Sequence, residues 1–205
     1  MKKVLVIIFI LLCQSGNSQF LREETLITAK FSYGTQGSSR YNLYGLQMDL
    51  FLTDNISVNY NFDLSYSTDN VRYFHTPLGL IGGPPLIVLG LLSGDGSSGG
   101  DSSSLNLGKG GAVLGLLLLV APDGIAAHIP IGSHVDIAPY ANVLGLDFIR
   151  DRNTDQKWIK YSASFGMQVT FLHKTDFTMS LYGEVRKAAK FDWMKGIGFS
   201  VGYHF

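Results

Sequence analysis

The sequence contains a single cysteine, Cys13, and it lies inside an N-terminal apolar stretch. Disulfides, thiolate catalysis and cysteine-based metal sites are therefore excluded for everything downstream of it. Charge is also scarce. Asp, Glu, Lys and Arg make up 16% of the chain, against about 25% in an ordinary soluble domain. The 16 basic and 16 acidic residues cancel, so no basic surplus points to nucleic acid. No apolar run reaches the roughly 20 residues of a spanning helix, and no amphipathic helix stands out. The zinc pattern H-E-x-x-H and the elbow G-x-S-x-G are missing, and Gly108-Lys109-Gly110-Gly111 lacks the rest of a phosphate loop. No catalytic, metal or cofactor residue is expected.

What the chain does contain is glycine, at 24 residues, and aromatics, at 12%. Met1–Ser18 reads as an export signal, with basic Lys2 and Lys3, the apolar run Val4–Leu12, and small Gly16 and Ser18 before Gln19. Without Lys2 and Lys3 the basic side chains number 14 against 16 acidic, a net charge of about −2. The remainder, 19–205, is expected to form one domain with a long insertion at about 68–123.

Alternation with period 2 dominates that domain. In Gly196–Phe205, Ile197, Phe199, Val201, Tyr203 and Phe205 occupy one parity and Gly198, Ser200, Gly202 and His204 the other. Ile56–Tyr66 sets Val58, Tyr60, Phe62 and Leu64 against Ser57, Asn59, Asn61 and Asp63. Thr25–Tyr33, Tyr41–Thr53, Ile125–Phe148, Ile159–Phe171 and Phe177–Val185 repeat the pattern, with a phase slip predicted near Val143–Gly145. Tyr33, Tyr41, Tyr66, Trp158, Phe171, Phe177, Trp193 and Phe205 fall near strand ends.

Such faces fit two architectures. In a soluble sandwich the apolar faces meet each other, whereas in a membrane barrel they meet lipid and the polar faces line the lumen. Strands of about 9–13 residues suit a tilted bilayer crossing better than the usual 5–6. The predicted fold is all-β: an up-and-down antiparallel transmembrane barrel of about eight strands, ten if the insertion pairs into the sheet. Connections at Gly34–Ser39, Thr68–Asp123, Arg150–Lys157 and Arg186–Lys195 then fall on the outer side. Those at Thr53–Asn55, Gly132–Ser133 and His173–Asp176 fall on the inner side.

The insertion is less regular. Leu78–Leu92, which Gly82-Gly83-Pro84-Pro85 is expected to break, and Ala112–Ala121 flank the Gly/Ser/Asp stretch Ser93–Ser104. A hydrophobic loop, a short helix pair and extra strands all fit. The stretch 78–121 is also the candidate contact surface for an envelope or surface protein partner.

Parity sends Lys30, Asp49, Asp63, Lys160, Glu184 and Arg186 into the lumen. An eight-stranded barrel is narrow enough for side chains to fill it, and buried charges of opposite sign need one another. A polar plug is expected, with room for Lys160, Glu184 and Arg186 left by Gly198, Ser200 and Gly202. A narrow polar pore or a ligand pocket at the barrel mouth is the alternative.

With its final strand, the chain resembles the small outer-membrane β-barrels of Gram-negative bacteria over Thr25–Tyr66 and Ile125–Phe205. That resemblance implies outer-membrane lipid as surroundings. It also implies that Ile197, Phe199, Val201, Tyr203 and Phe205 form a signal read by the barrel-assembly machinery. Val71–Gly124 departs from it, being more apolar than the outer loops of such barrels. Some barrels of this kind modify lipids with a Ser/His/acid set, and His128, Ser133 and Asp136 are the residues to test for one here. The expected role is structural or adhesive, without catalysis.

Overall fold

The last strand closes on the first. In a computed structural model, residues 25–92, 113–117, 120–132, 134–172 and 176–205 are described. There β10 (Met194–His204) pairs antiparallel with β1 (Thr25–Gln36), from Leu26 opposite His204 to Gln36 opposite Met194. From β1 the sheet continues through β2 (Ser39–Thr53) and β3 (Ile56–Ser67), and from β10 through β9 (Phe177–Ala188), β8 (Lys157–Leu172) and β7 (Val135–Asp151). The ring is completed by β4 (Val71–Pro77), β5 (Gly124–Ala127) and β6 (Ile129–Ile131). These three short pieces share one position, so ten strand segments among the described residues make an eight-position, up-and-down antiparallel barrel.

Burial follows the parity. On β1 every second residue from Leu26 to Gln36 is buried, and those between Ile27 and Thr35 are exposed. Ile197, Phe199, Leu181, Met167 and Leu46 stand out from the wall with more than half of their surface free. The polar faces point inward, the reverse of a soluble sandwich. The phase slip is a bulge in β7, where the register against β8 shifts between Asn142 and Gly145.

One end of the barrel carries the turns at 37–38, 68–70, 152–156 and 189–193, and is called the loop end here. The other carries the turn at 54–55, the end of β6, the starts of β1 and β9 and the end of β10. Gly37 has a φ of +59° and so suits the left-handed turn between β1 and β2.

The fourth wall position differs from expectation. Thr68–Asp123 is not one long outer connection. Thr68–Asn70 is a tight turn, and Val71–Pro77 is a wall strand, so the insertion starts at 78. It leaves from the middle of the wall, because Pro77 pairs with Gly145 and, on the chain's return, Gly124 pairs with Asn142. Asp123 closes the gap: its N–H donates to Asn59 O, and its carbonyl accepts the Val143 and Leu144 amides. The two donors come from the bulge, which supplies the extra residue the gap needs.

Inside the insertion, α1 (Leu78–Leu92) runs straight through Pro84 and Pro85. The proline pair therefore does not break it, contrary to the sequence reading. Residues 113–117 are helical as well. A β-carbon on Gly115 would fall within 3 Å of Gly83 O and Ile87 N, so the two helical segments meet backbone to backbone. Met1–Ser18, Ser93–Ser104 and Gly108–Gly111 lie outside the described residues.

Candidate functional site

Among the described residues, the lumen gathers the buried polar side chains. Lys30, Asp63, Glu184 and Arg186 are all buried there and form one chain of bonds. Lys30 Nζ donates to Asn61 Oδ1 at 2.6 Å and lies 3.2 Å from Asp63 Oδ1. Arg186 pairs with Asp63 Oδ2 through Nη2 and donates from Nε to Glu184 Oε1 at 3.1 Å. Tyr140 completes the run by donating to Glu184 Oε2 at 2.9 Å. Asp63 thus accepts both cations at once, the arrangement that makes a buried carboxylate tolerable.

The other two predicted lumen residues behave differently. Asp49 is buried, but it is held by Gln47 Nε2 at 2.9 Å to each carboxylate oxygen. Lys160 has inward parity and pairs across the sheet with Asp147, yet it sits near the loop end and is only half-buried. It takes no part in the chain of bonds above.

Two histidine clusters join the plug that parity alone did not reveal. His75 Nδ1 meets Asp147 Oδ1 at 2.8 Å, and its Nε2 meets Asp123 Oδ2 at 3.1 Å. Ser162 Oγ lies 3.1 Å from the same Nδ1. Carboxylates at both ring nitrogens suit the doubly protonated imidazolium. Asp147 was legible, since the phase slip turns it inward. His75 and Asp123 lay in the irregular stretch where no alternation could be counted.

The second cluster is nearer the terminal end. His128 Nδ1 lies 2.7 Å from Asp136 Oδ2, and its Nε2 lies 2.9 Å from Ser57 Oγ. The sequence pairing of His128 with Asp136 is present, but Ser57 takes the serine position. Ser133 lies outside the described residues. The order Ser–His–Asp matches a nucleophilic triad, but Ser57 is fully buried, His128 is 5% exposed and Phe51 stacks 4.7 Å from its ring. The adjoining cavity, lined by Gln47, Asp49, His128 and Tyr140, holds about 10 Å³. That is room for about one water and none for a substrate. The cluster clamps β3, the link between β5 and β6, and β7 together.

Apolar clusters sit toward both ends. At the loop end Tyr41, Leu43, Tyr73, Ile149, Ala188 and Met194 are buried as one cluster, with Trp158 and Phe191 packed on it. Tyr41 and Trp158 therefore belong to the interior cap and not to an outer girdle. At the other end Leu26 and Phe51 pack together. Glycines make the filling possible, though not where expected. A β-carbon on Gly198 would collide with Tyr182, and one on Gly196 with the Tyr41 hydroxyl. One on Gly45 would collide with Asp63, on Gly145 with His75, and on Gly166 with Tyr140. The last strand thus leaves room for Tyr182 and Tyr41, not for Lys160, Glu184 and Arg186.

No family model and no curated protein matches the chain. Solved structures do. The N-terminal β-barrel domain of Pseudomonas aeruginosa OprF aligns over 89% of this chain and 98% of its own, with a TM-score of 0.51 at 12% identity. Ail, the attachment invasion locus protein of Yersinia pestis, aligns over 90% and 100%, with 0.49 at 10% identity. The outer membrane enzyme PagL aligns over 86% and 98%, with 0.44 at 9% identity. At these identities the likeness is one of architecture, and what this chain shares with the OprF domain is the barrel.

Proposed function

We propose that the chain is an integral protein of the bacterial outer membrane, a non-conducting barrel that acts through its surface. The observation that carries this is the inverted distribution of polarity. Large apolar side chains stand exposed around the wall, while Lys30, Asp63, Glu184 and Arg186 are buried inside it. A closed barrel in lipid satisfies every wall N–H and C=O internally, so only the outer side chains need match the solvent, and here they match hydrocarbon. Export by the N-terminal signal supplies the route, and Ile197, Phe199, Val201, Tyr203 and Phe205 serve as the assembly signal.

The lumen is a plug. Charges paired in the middle and apolar clusters toward both ends favour a structural or adhesive role over a pore. The loop end offers the contact surface. Exposed Arg40, Arg72, Arg152, Lys157, Lys190 and Lys195 outnumber the exposed Asp69, Asp155 and Asp192 there, so the surface favours an anionic partner.

Two measurements test this reading. Membrane-extracted protein should migrate as a compact band that shifts only on boiling, and recovery from the soluble periplasmic fraction would overturn the membrane assignment. In planar bilayers the purified barrel should give no conductance, and clear ohmic steps would replace the plug with a pore.

A further inference from the structure

The described parts of the insertion lie outside the wall, and several observations say what surrounds them. It departs and returns at the mid-height of the barrel, beside Gly145 and Asn142 of β7. Tyr60, on the outward face of β3, donates its hydroxyl to Val120 O at 2.6 Å, fastening the returning segment against the exterior. Wall residues toward each end of the barrel from this point are themselves exposed and apolar: Phe74 and Leu64 on one side, Ile125 and Ile131 on the other.

The composition of α1 leaves no face for water. Leu78–Leu92 contains only Leu, Ile, Val, Gly and Pro, and a helix apolar all round is stable only where every side is apolar. Val88, Val113, Leu116, Leu117 and Val120 are each more than half exposed. The close approach at Gly115 is the kind that lets helices pack without a hydrophobic drive between them.

Length fixes how far the arm reaches. No described helix is long and apolar enough to cross a membrane. Fifteen helical residues extend about 22 Å, whereas the hydrocarbon is about 30 Å thick. Starting from mid-depth, α1 has only about half that thickness to cover. Its sequence is followed by the Gly/Ser/Asp stretch Ser93–Ser104, whose chemistry suits an interface.

We propose that the helical segments 78–92 and 113–117, with the returning residues 120–122, form an intramembrane arm that lies in the acyl-chain layer beside the barrel. The arm reaches into a single leaflet. Its partner is lipid hydrocarbon. This inference rests on the reading of the wall as lipid-facing, and the experiment separates the two.

Single spin labels are placed at Val88 and Leu117 on the arm, at Leu181 on the wall and at Thr154 on the loop end, in a Cys13→Ser background. The full chain is reconstituted in palmitoyl-oleoyl phosphatidylcholine vesicles, with heat-shifted migration confirming the fold of each variant. Accessibility to oxygen and to a water-soluble nickel chelate is then read by electron paramagnetic resonance. Val88 and Leu117 should match Leu181, with high oxygen exposure and nickel exposure several-fold below that of Thr154. Nickel access at Val88 and Leu117 with Leu181 protected would overturn the arm and leave the barrel standing. Exclusion of both reagents, with spin–spin broadening that grows with protein density, would assign the surface to a second copy and also overturn the arm. Nickel access at Leu181 would overturn the membrane reading itself, and the arm with it.

Discussion

His75 and Asp123 face each other across the break in the fourth wall strand, Nε2 to Oδ2 at 3.1 Å. The same ring reaches Asp147 on β7 at 2.8 Å. One side chain thus ties together β4, the returning end of the arm and β7. Removing Asp123 leaves the imidazolium with half its counter-charge in a buried site, and losing one partner of such a pair costs about 3–5 kcal/mol. Asp123→Ala should lower stability by that order, while Asp123→Asn, which can still accept a hydrogen bond, should lower it less. Urea unfolding in vesicles, followed by the fluorescence of Trp158 and Trp193, measures the difference. A loss under about 1 kcal/mol for Asp123→Ala, the worth of one ordinary hydrogen bond, would refute the latch.

Asp63 and Glu184 have unequal loads. Asp63 faces both Lys30 and Arg186, while Glu184 shares Arg186 and accepts from Tyr140. Asp63→Asn leaves Lys30 without its carboxylate and Arg186 with Glu184 alone, and should cost about 3–5 kcal/mol, more than Glu184→Gln. Equal losses in paired unfolding curves would argue against Asp63 as the hub.

Two glycine substitutions should have opposite signs. Gly145→Ala drives a methyl into the His75 ring, and overpacking of this kind costs about 1–3 kcal/mol. A methyl on Gly82 meets nothing within 4 Å, and replacing a helical glycine by alanine gains about 0.5–1 kcal/mol. Thermal shifts of the band that migrates as folded barrel report both. A stabilised Gly145→Ala variant would contradict the packing described.

Ser57 should be inert. A fluorophosphonate probe should leave the folded barrel unlabelled, because no surface of Ser57 is exposed. Ser57→Ala should cost about 1 kcal/mol, one hydrogen bond. Labelling of folded protein that Ser57→Ala abolishes would restore the lipid-modifying alternative.

At the loop end, Asp155 is fastened to Arg150 by two hydrogen bonds, from Nε at 3.1 Å and Nη2 at 2.7 Å. These bonds and the Arg150 charge hold its carboxyl below the ordinary carboxylate value. Because the folded value is the lower one, the pair's contribution is present above about pH 3.9 and is lost as pH falls through the depressed value. Arg150→Ala should raise the Asp155 midpoint in a carbon-detected NMR titration. An unmoved midpoint would detach Asp155 from Arg150.

The wall was legible in the sequence because strand parity needs only neighbours along the chain. Lys30, Asp63 and Glu184 could be sent inward from Thr25–Tyr33, Ile56–Tyr66 and Phe177–Val185 alone, and Arg186, one residue beyond the last of these, by the same parity. Depth was not legible. Lys160 has the right parity, but it lies three residues from the loop-end start of β8 and is only half-buried. The fourth strand was hidden for a different reason. Val71–Pro77 alternates Arg72 and Phe74 outward with Tyr73 and His75 inward, so both its faces mix polar and apolar residues. The proline pair then read as a helix breaker, whereas α1 carries it within its length.

The split fourth strand has one more consequence. Between Asp63, opposite His75, and Asn59, opposite Gly124, β3 has three residues: Tyr60, Asn61 and Phe62. If Pro77 were joined directly to Asp123, the fourth strand would also have three between those partners: Thr76, Pro77 and Asp123. Residues 78–122 therefore sit in frame, like a cassette spliced into a ladder whose rung count is unchanged. The boundary between scaffold and cargo in this protein lies halfway up a stave of the barrel.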